Sequence, residues 1–267
     1  MEIQMWREIL EPYSLAVDEL KEKFEHMRSA YRAAGLYSPI EQVDVRVKSI
    51  SSLLEKVQRK HISLDDIETH IDDIAGVRII CQFVEDIYKV AQIIKKRTDM
   101  QVVEEQDYVK EQKASGYRSY HMVIKYRVES LKGPKDIFCE IQIRTLAMNF
   151  WATIEHSLQY KYKQNMPENL RVRLLKAAEA IGVLDREMSL VRGEIMDAQN
   201  TFTLKSNLVA DILTNIQNLY KVANKREIVK IQDEFFKIYN SEDLAHLELF
   251  AKELDIISEG YRAQSLK

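Results

Sequence analysis

Glu140, Gln142 and Arg144 alternate with Ile137, Cys139, Ile141 and Ile143 along D-I-F-C-E-I-Q-I-R-T (136–145). A period of two sends the polar set to one face of a strand and the apolar set to the other. On a covered face, an acid, an amide and a guanidinium need partners or a ligand. On an open antiparallel sheet the same three are an ordinary solvated face. The basic segment D-V-R-V-K-S-I-S-S-L-L-E-K-V-Q-R-K (44–60) is the second candidate. At 100° per residue Lys48, Ser52, Lys56 and Arg59 fall together, opposite Ile50, Leu53, Leu54 and Val57, with Arg46 just upstream. Surface helices usually mix signs, and a row of cations suits a polyphosphate chain; a solvated helix face is the bland alternative.

Two further segments complete the set. H-I-D-D-I-A-G-V-R-I-I (70–80) places Asp72 and Asp73 directly before an apolar strand. Carboxylates there can hold Mg²⁺, which prefers one or two of them plus substrate phosphates and water; they are equally read as turn acids. K-A-S-G-Y-R-S-Y-H-M-V-I-K-Y (113–126) offers a loop glycine in Gly116, a stacking face in Tyr117, and polar donors in Lys113, Arg118 and His121. That suits a purine with its phosphates, or an ordinary loop entering a strand. Together the four segments hold cations, carboxylates and a stacking loop. Phosphoryl-type transfer needs these parts, because its catalysis is mostly positioning and charge neutralisation.

The elements that must position them are legible in outline. Ile9, Tyr13, Ala16, Leu20, Phe24 and Met27 recur at helical spacing over 2–34, up to Gly35. A second helix spans 49–60, a buried strand 76–83, and a third helix 85–97. Strands follow at roughly 100–104, 120–128 and 136–144, the last two joined by the turn S-L-K-G-P-K. From 146 onward the pattern is helical: first L-A-M-N-F-W-A-T-I-E-H-S-L-Q-Y-K-Y-K, then Glu168 to about Gln199 after Pro167, then at least two helices over 207–263. The expected fold is α+β, a central mixed sheet of four to five strands flanked by helices. The expected division is a 1–200 domain and a 201–267 helical extension.

With 46% apolar and 30% charged residues, seven glycines and four prolines, the 267-residue chain has a globular, helix-rich profile. A net charge of −3 gives no overall bias toward nucleic acid or anionic lipid. Cys81 and Cys139 sit in apolar runs and are too few for a disulfide framework or metal cluster. No run approaches 18 apolar residues, and the N-terminus lacks a signal-peptide pattern, so a cytoplasmic protein is expected.

R-V-K-S with Lys56 and Arg59, D-I-A-G-V-R-I, S-G-Y-R-S-Y-H, and E-I-Q-I-R-T-L-A-M-N-F-W-A-T-I-E-H-S-L-Q-Y-K-Y, in this order, resemble the small alarmone synthetases. These are single-domain relatives of the long Rel/Spo-type stringent-response enzymes, and the resemblance runs from about Trp6 to Gln199. It implies a nucleotidyltransferase-like sheet and transfer of pyrophosphate from ATP to the 3′-hydroxyl of GDP or GTP. By motif, Arg46, Lys48, Ser52, Lys56 and Arg59 would hold ATP. Asp73 would bind Mg²⁺, and Glu140 would share the metal or draw the proton from the attacking hydroxyl. Tyr117 would stack on guanine; Lys113, His121 and Gln142 would contact the acceptor; Arg78 and Arg144 would stand behind them. The resemblance also implies a homotetramer, whose central cleft in some members binds pppGpp as an activator. Lys21, Gln42 and Asn149 are this chain's counterparts there. Glu25 and Gln42 depart from the basic and aromatic residues of that cleft and argue against activation. Gln106, where relatives often carry a basic residue, bears on the choice between GDP and GTP. Fewer than fifty residues precede Arg46, with no His/His-Asp cluster among them, so synthesis without hydrolysis is expected.

Two other readings share the scaffold. One is a non-catalytic nucleotide- or RNA-binding module, although the residues give no separate indication of RNA binding. The other is a nucleotidyltransferase that passes AMP. The joint presence of Asp73, Glu140, Tyr117 and the Arg46/Lys48 pair favours the pyrophosphokinase.

Overall fold

The computed structural model describes residues 2–162, 166–221, 223–241 and 243–265. The chain divides into two compact units, Met1–Leu190 and Val191–Lys267.

The first unit is built on a five-stranded mixed sheet of order β1-β2-β5-β4-β3. Its strands are β1 (Gln42–Val47), β2 (Ala75–Cys81), β3 (Met100–Asp107), β4 (Tyr120–Ser130) and β5 (Gly133–Thr145). β2 and β5 are parallel and the other pairs antiparallel. The helices around the sheet are α1 (Glu2–Ala33), α2 (Ile50–Lys60), the short α3 (Ile67–His70), α4 (Val84–Lys95), α5 (Leu146–Tyr162) and the start of α6 (Glu168–Leu219).

One face of the sheet is apolar. Val77, Ile79, Ile141, Ile143, Met122 and Ile124 are buried there with Tyr13, Leu20 and Phe24 of α1 in one core. Tyr126 on β4 reaches α1 by donating its hydroxyl to Glu19 Oε2 at 2.6 Å. Cys81 and Cys139 are free and buried, as two core thiols should be.

β1 escapes the sequence reading, although Val43, Val45 and Val47 alternate as an edge strand requires. Lys48 therefore lies at the β1–α2 junction and not on the helix, which begins after the N-cap Ser49, whose side chain accepts from Ser52 N. The apolar stripe of α2 is also narrower than expected. Leu53 and Val57 are buried, but Ile50 and Leu54 stand at its exposed rim.

The helix expected at 168–199 runs on to Leu219. The second unit combines its distal part with α7 (Lys225–Asn240) and α8 (Leu244–Ser265). Ile212, Ile216, Leu219, Ile228, Phe235, Leu247, Phe250 and Leu254 form a core of its own. No described helix is long and apolar enough to cross a membrane.

Candidate active site

Strand register brings the polar residues of four segments onto one face of the sheet. Arg46 on β1 pairs with Gly76 on β2, and Gly76 pairs with Glu140 on β5. Directly paired residues project to the same side, so the missing side chain of Gly76 leaves open floor between a guanidinium and a carboxylate. The Arg46 side chain lies across that floor: a Cβ added to Gly76 would stand 3.4 Å from Arg46 Cγ. In the next row Asp44, Arg78, Gln142, His121 and Gln106 are in register across all five strands. A cavity of about 90 Å³ opens here, lined by Asp44, Arg46, Gly76, Arg78, Glu140 and Gln142. Among the described residues the buried Arg78 Nε has no hydrogen-bond partner.

Asp73 precedes β2 and binds two cations at once. Lys48 Nζ donates to its Oδ2 at 2.5 Å and Lys56 Nζ to its Oδ1 at 2.7 Å. These three side chains are 16–22% exposed. Burial pushes the Asp73 carboxyl upward, but the two ammonium groups outweigh it and hold the group below its ordinary range. Lys48 and Lys56 thus do share a site, through Asp73 and not through helical phase alone. Ser52 stays near the helix start, where its hydroxyl accepts from Ser49 Oγ at 2.9 Å. Arg59 lies in the last turn of α2.

Glu140 is a well-held carboxylate, its side chain 19% exposed and both of its oxygens hydrogen-bonded. His121 Nδ1 lies 3.0 Å from Oε1, and Gln142 Nε2 donates to Oε2 at 2.7 Å. Burial raises its proton affinity and nearby Asp73 adds to that, but His121 and Gln142 win and keep it below the usual carboxylate range. Arg144, 5% exposed, donates to Gln142 Oε1 at 2.6 Å and to the Tyr117 hydroxyl. Tyr117 in turn meets His121 Nε2 at 2.8 Å.

The loop carrying Tyr117 is braced from below. Gly116 has φ +88°, a conformation that glycine adopts without strain. A Cβ there would stand 2.5 Å from that of Ala178 on α6, so the loop sits directly on the helix. Trp151 on α5 holds the same helix by donating its indole N–H to the Leu174 carbonyl at 2.9 Å. Lys113 Nζ lies 4.3 Å from the ring centre of Tyr108 and 5.2 Å from that of Tyr117. Tyr108, which the sequence reading passed over, also meets His121 edge-on at 5.2 Å. Its signal was an aromatic residue beside Asp107, at the far end of the loop from Tyr117.

The structure therefore brings together Arg46, Lys48, Lys56, Asp73, Arg78, Lys113, Tyr117, His121, Glu140, Gln142 and Arg144. The counterparts of the activator cleft are spread over three elements, Lys21 on α1, Gln42 on β1 and Asn149 on α5. Among the described residues no hydrogen bond joins these three. The buried Asn149 Oδ1 has no partner among the described residues. No group of three or more His, Cys, Asp or Glu side chains suited to a metal ion occurs among the described residues.

Residues 45–165 match the model of the region found in RelA/SpoT proteins. The GTP pyrophosphokinase YjbM of Bacillus subtilis is 52% identical over 205 residues, covering 77% of this chain and 97% of that protein. YwaC of the same organism, also named a GTP pyrophosphokinase, is 39% identical over 192 residues, 71% of this chain and 91% of its own. Among solved structures, the small alarmone synthetase 1 from B. subtilis bound to its product pppGpp superposes with TM-score 0.70 at 52% identity, covering 72% of this chain and 98% of the other. The same enzyme bound to AMPCPP gives TM-score 0.65 at 48% identity, with coverage of 73% and 99%.

Proposed function

Because the chain belongs to the small alarmone synthetases of the RelA/SpoT family, we propose that it is a GTP pyrophosphokinase, making ppGpp or pppGpp from GDP or GTP with ATP as donor. The 3′-oxygen of the guanosine nucleotide bonds to the β-phosphorus of ATP. The bond from that phosphorus to the bridging α-oxygen breaks, and AMP leaves with the oxygen. The hydroxyl proton goes to Glu140. The observation that carries this reading is the row Arg46–Gly76–Glu140, flanked by the Lys48–Asp73–Lys56 cluster. It sets a carboxylate and a group of cations around an open patch of sheet.

In this reading Arg46, Lys48, Ser52, Lys56 and Arg59 bind ATP, and the two lysines exchange Asp73 for phosphate oxygens. Asp73 would then be free to hold Mg²⁺. The donor set fits the ion, since Asp73 and Glu140 are close enough to interact electrostatically and Mg²⁺ commonly takes one or two carboxylates with substrate phosphates and waters. When bound, the ion supplies neutralisation of charge on the phosphates. Both Glu140 oxygens already accept one hydrogen bond, which leaves each a lone pair for the 3′-hydroxyl. Tyr117 stacks on guanine, with Lys113, His121 and Gln142 around the acceptor. A homotetramer is the assembly we propose, and Glu25 and Gln42 lead us to expect a flat response to added pppGpp.

The deciding experiment mixes the protein with ATP, GDP and Mg²⁺ and follows AMP and ppGpp by ion-exchange chromatography. Glu140→Gln should lower the rate by about 10²–10⁴-fold, the range for loss of a positioned acid–base group. No AMP above that control would sink the proposal, and release of pyrophosphate in its place would point to nucleotidyl transfer.

A further inference from the structure

Five side chains of the site close a hydrogen-bonded ring. Arg144 Nη2 donates both to Gln142 Oε1 and to the Tyr117 hydroxyl. Gln142 Nε2 donates to Glu140 Oε2. The Tyr117 hydroxyl meets His121 Nε2, and His121 Nδ1 meets Glu140 Oε1. Arginine only donates and an ionised carboxylate only accepts. With one proton on the imidazole, the ring runs in one direction along two arms, from Arg144 to Glu140.

We propose that Arg144 is a positioning residue that acts on Glu140 through these two arms, one through Gln142 and one through Tyr117 and His121. Its consequence for catalysis rests on the pyrophosphokinase reading; the ring itself does not. Along the first arm, Arg144 holds the Gln142 oxygen and so turns the amide nitrogen toward Glu140. A flipped amide would instead set an oxygen against the carboxylate. Along the second, Arg144 occupies an acceptor position of the Tyr117 hydroxyl, whose own hydrogen then points to His121 Nε2. The imidazole is left to present Nδ1–H to Glu140. Both arms thus deliver donors to the carboxylate and fix its plane. Arg144 is itself locked in place, since its Nε donates at 3.2 Å to Ser119 Oγ, which is fully buried.

A purely structural role would look different. The Arg144 guanidinium lies 5.0 Å from the Tyr117 ring centre and could serve only to prop the stacking face. Loss of a prop raises KM for the guanosine nucleotide and leaves the chemical step alone.

Kinetics of the single variants, a double-mutant cycle and one spectroscopic readout, all on the full chain, separate the two. Arg144→Met should lower kcat by about 10²-fold, as expected when an acid–base group loses its geometry, with KM for ATP held within about twofold. Arg144→Lys, which keeps a donor, should recover part of that loss. In a Glu140→Gln background, Arg144→Met should cost little more, because the two changes remove one function. Equal losses of kcat in both backgrounds, or a rise in KM for GDP alone, would overturn the proposal. If Arg144→Met does not fold, Arg144→Lys carries the same cycle. The third readout needs no turnover: the Gln142 side-chain amide signals of ¹⁵N-labelled protein, assigned with Gln142→Glu. They should be protected from solvent exchange in the parent and lose protection in Arg144→Met. Unchanged protection overturns the ring argument, whereas a parent protein that makes no AMP overturns only the activity reading.

Discussion

At the scale of single residues, the site is a set of charges that satisfy one another before any substrate arrives. Asp73 shows this most simply, since its two lysines are also the candidate phosphate ligands. The carboxyl is held below its ordinary range in the fold, so the folded state binds its proton less tightly than the unfolded chain does. For a depressed pKa the added stability is fully present above the unfolded value, about 3.9 for aspartate, and disappears as pH falls through the folded value. Asp73→Asn should therefore cost about 1.5–3 kcal/mol near neutrality, the scale of a hydrogen bond to a charged group. The difference in urea midpoint from the parent should shrink as pH falls below about 4 and vanish only below the lower, folded value. A gap that persists in acid would mean that Asp73 stabilises by packing and not by charge. Such pairing was not legible in the sequence. The alternation at 136–145 put Glu140, Gln142 and Arg144 on one face, but it could not say whether that face was covered. Nor could helical phase place Lys48, which reaches Asp73 from outside the helix.

At the scale of elements, close approach of backbone decides what the loop before β4 can tolerate. Gly116 and Gly182 both face a neighbour, but of different kinds. A Cβ on Gly116 would meet the Cβ of Ala178 at 2.5 Å on a backbone already at φ +88°. Neither atom can step aside, so the loop must lift from α6. A Cβ on Gly182 would meet the end of the Arg118 guanidinium at 1.9 Å, and that flexible side chain can swing away. It would give up its bonds to Gln112 Oε1 at 3.0 and 2.7 Å. Gly116→Ala should then destabilise the first unit by about 1–3 kcal/mol, the usual cost of a strained backbone position, and raise KM for the guanosine nucleotide. Gly182→Ala should stay within about 0.5 kcal/mol of the parent in a thermal melt, since no buried group is stranded. Comparable losses from both would show that loop and helix move freely against each other. The strands at 76–83, 100–104, 120–128 and 136–144 and the first four long helices were legible because their apolar periods are regular. β1 was not, because its V-x-V-x-V pattern lies inside a segment whose cations suggested helix. Nor was the brace under Gly116, since contact with α6 joins residues some sixty positions apart.

At the scale of the whole molecule, two separate cores imply two separable stabilities. The core of Val191–Lys267 is small, with eight buried apolar residues among those described, drawn from three helices. The first unit, by contrast, carries its own much larger core around the sheet. A small helical core leaves little margin above the entropy of ordering its chain. Leu247 on α8 is fully buried there, and Leu→Ala at such a position typically costs about 2–5 kcal/mol. That loss is comparable to everything a unit of this size can muster. Leu247→Ala should accordingly melt the second unit early and shorten α6, while the sheet and every candidate catalytic side chain, all within Met1–Leu190, remain in place. Scanning calorimetry should resolve an early transition that the substitution lowers and a later one that it leaves alone. The rate of AMP formation below the second transition should stay within about twofold of the parent, because a change remote from the reacting groups leaves transition-state binding intact. A single cooperative melt, shifted as a whole by Leu247→Ala, would show that the long helix α6 couples the two cores. The tail would then be part of the synthetase's stability and not an independent unit.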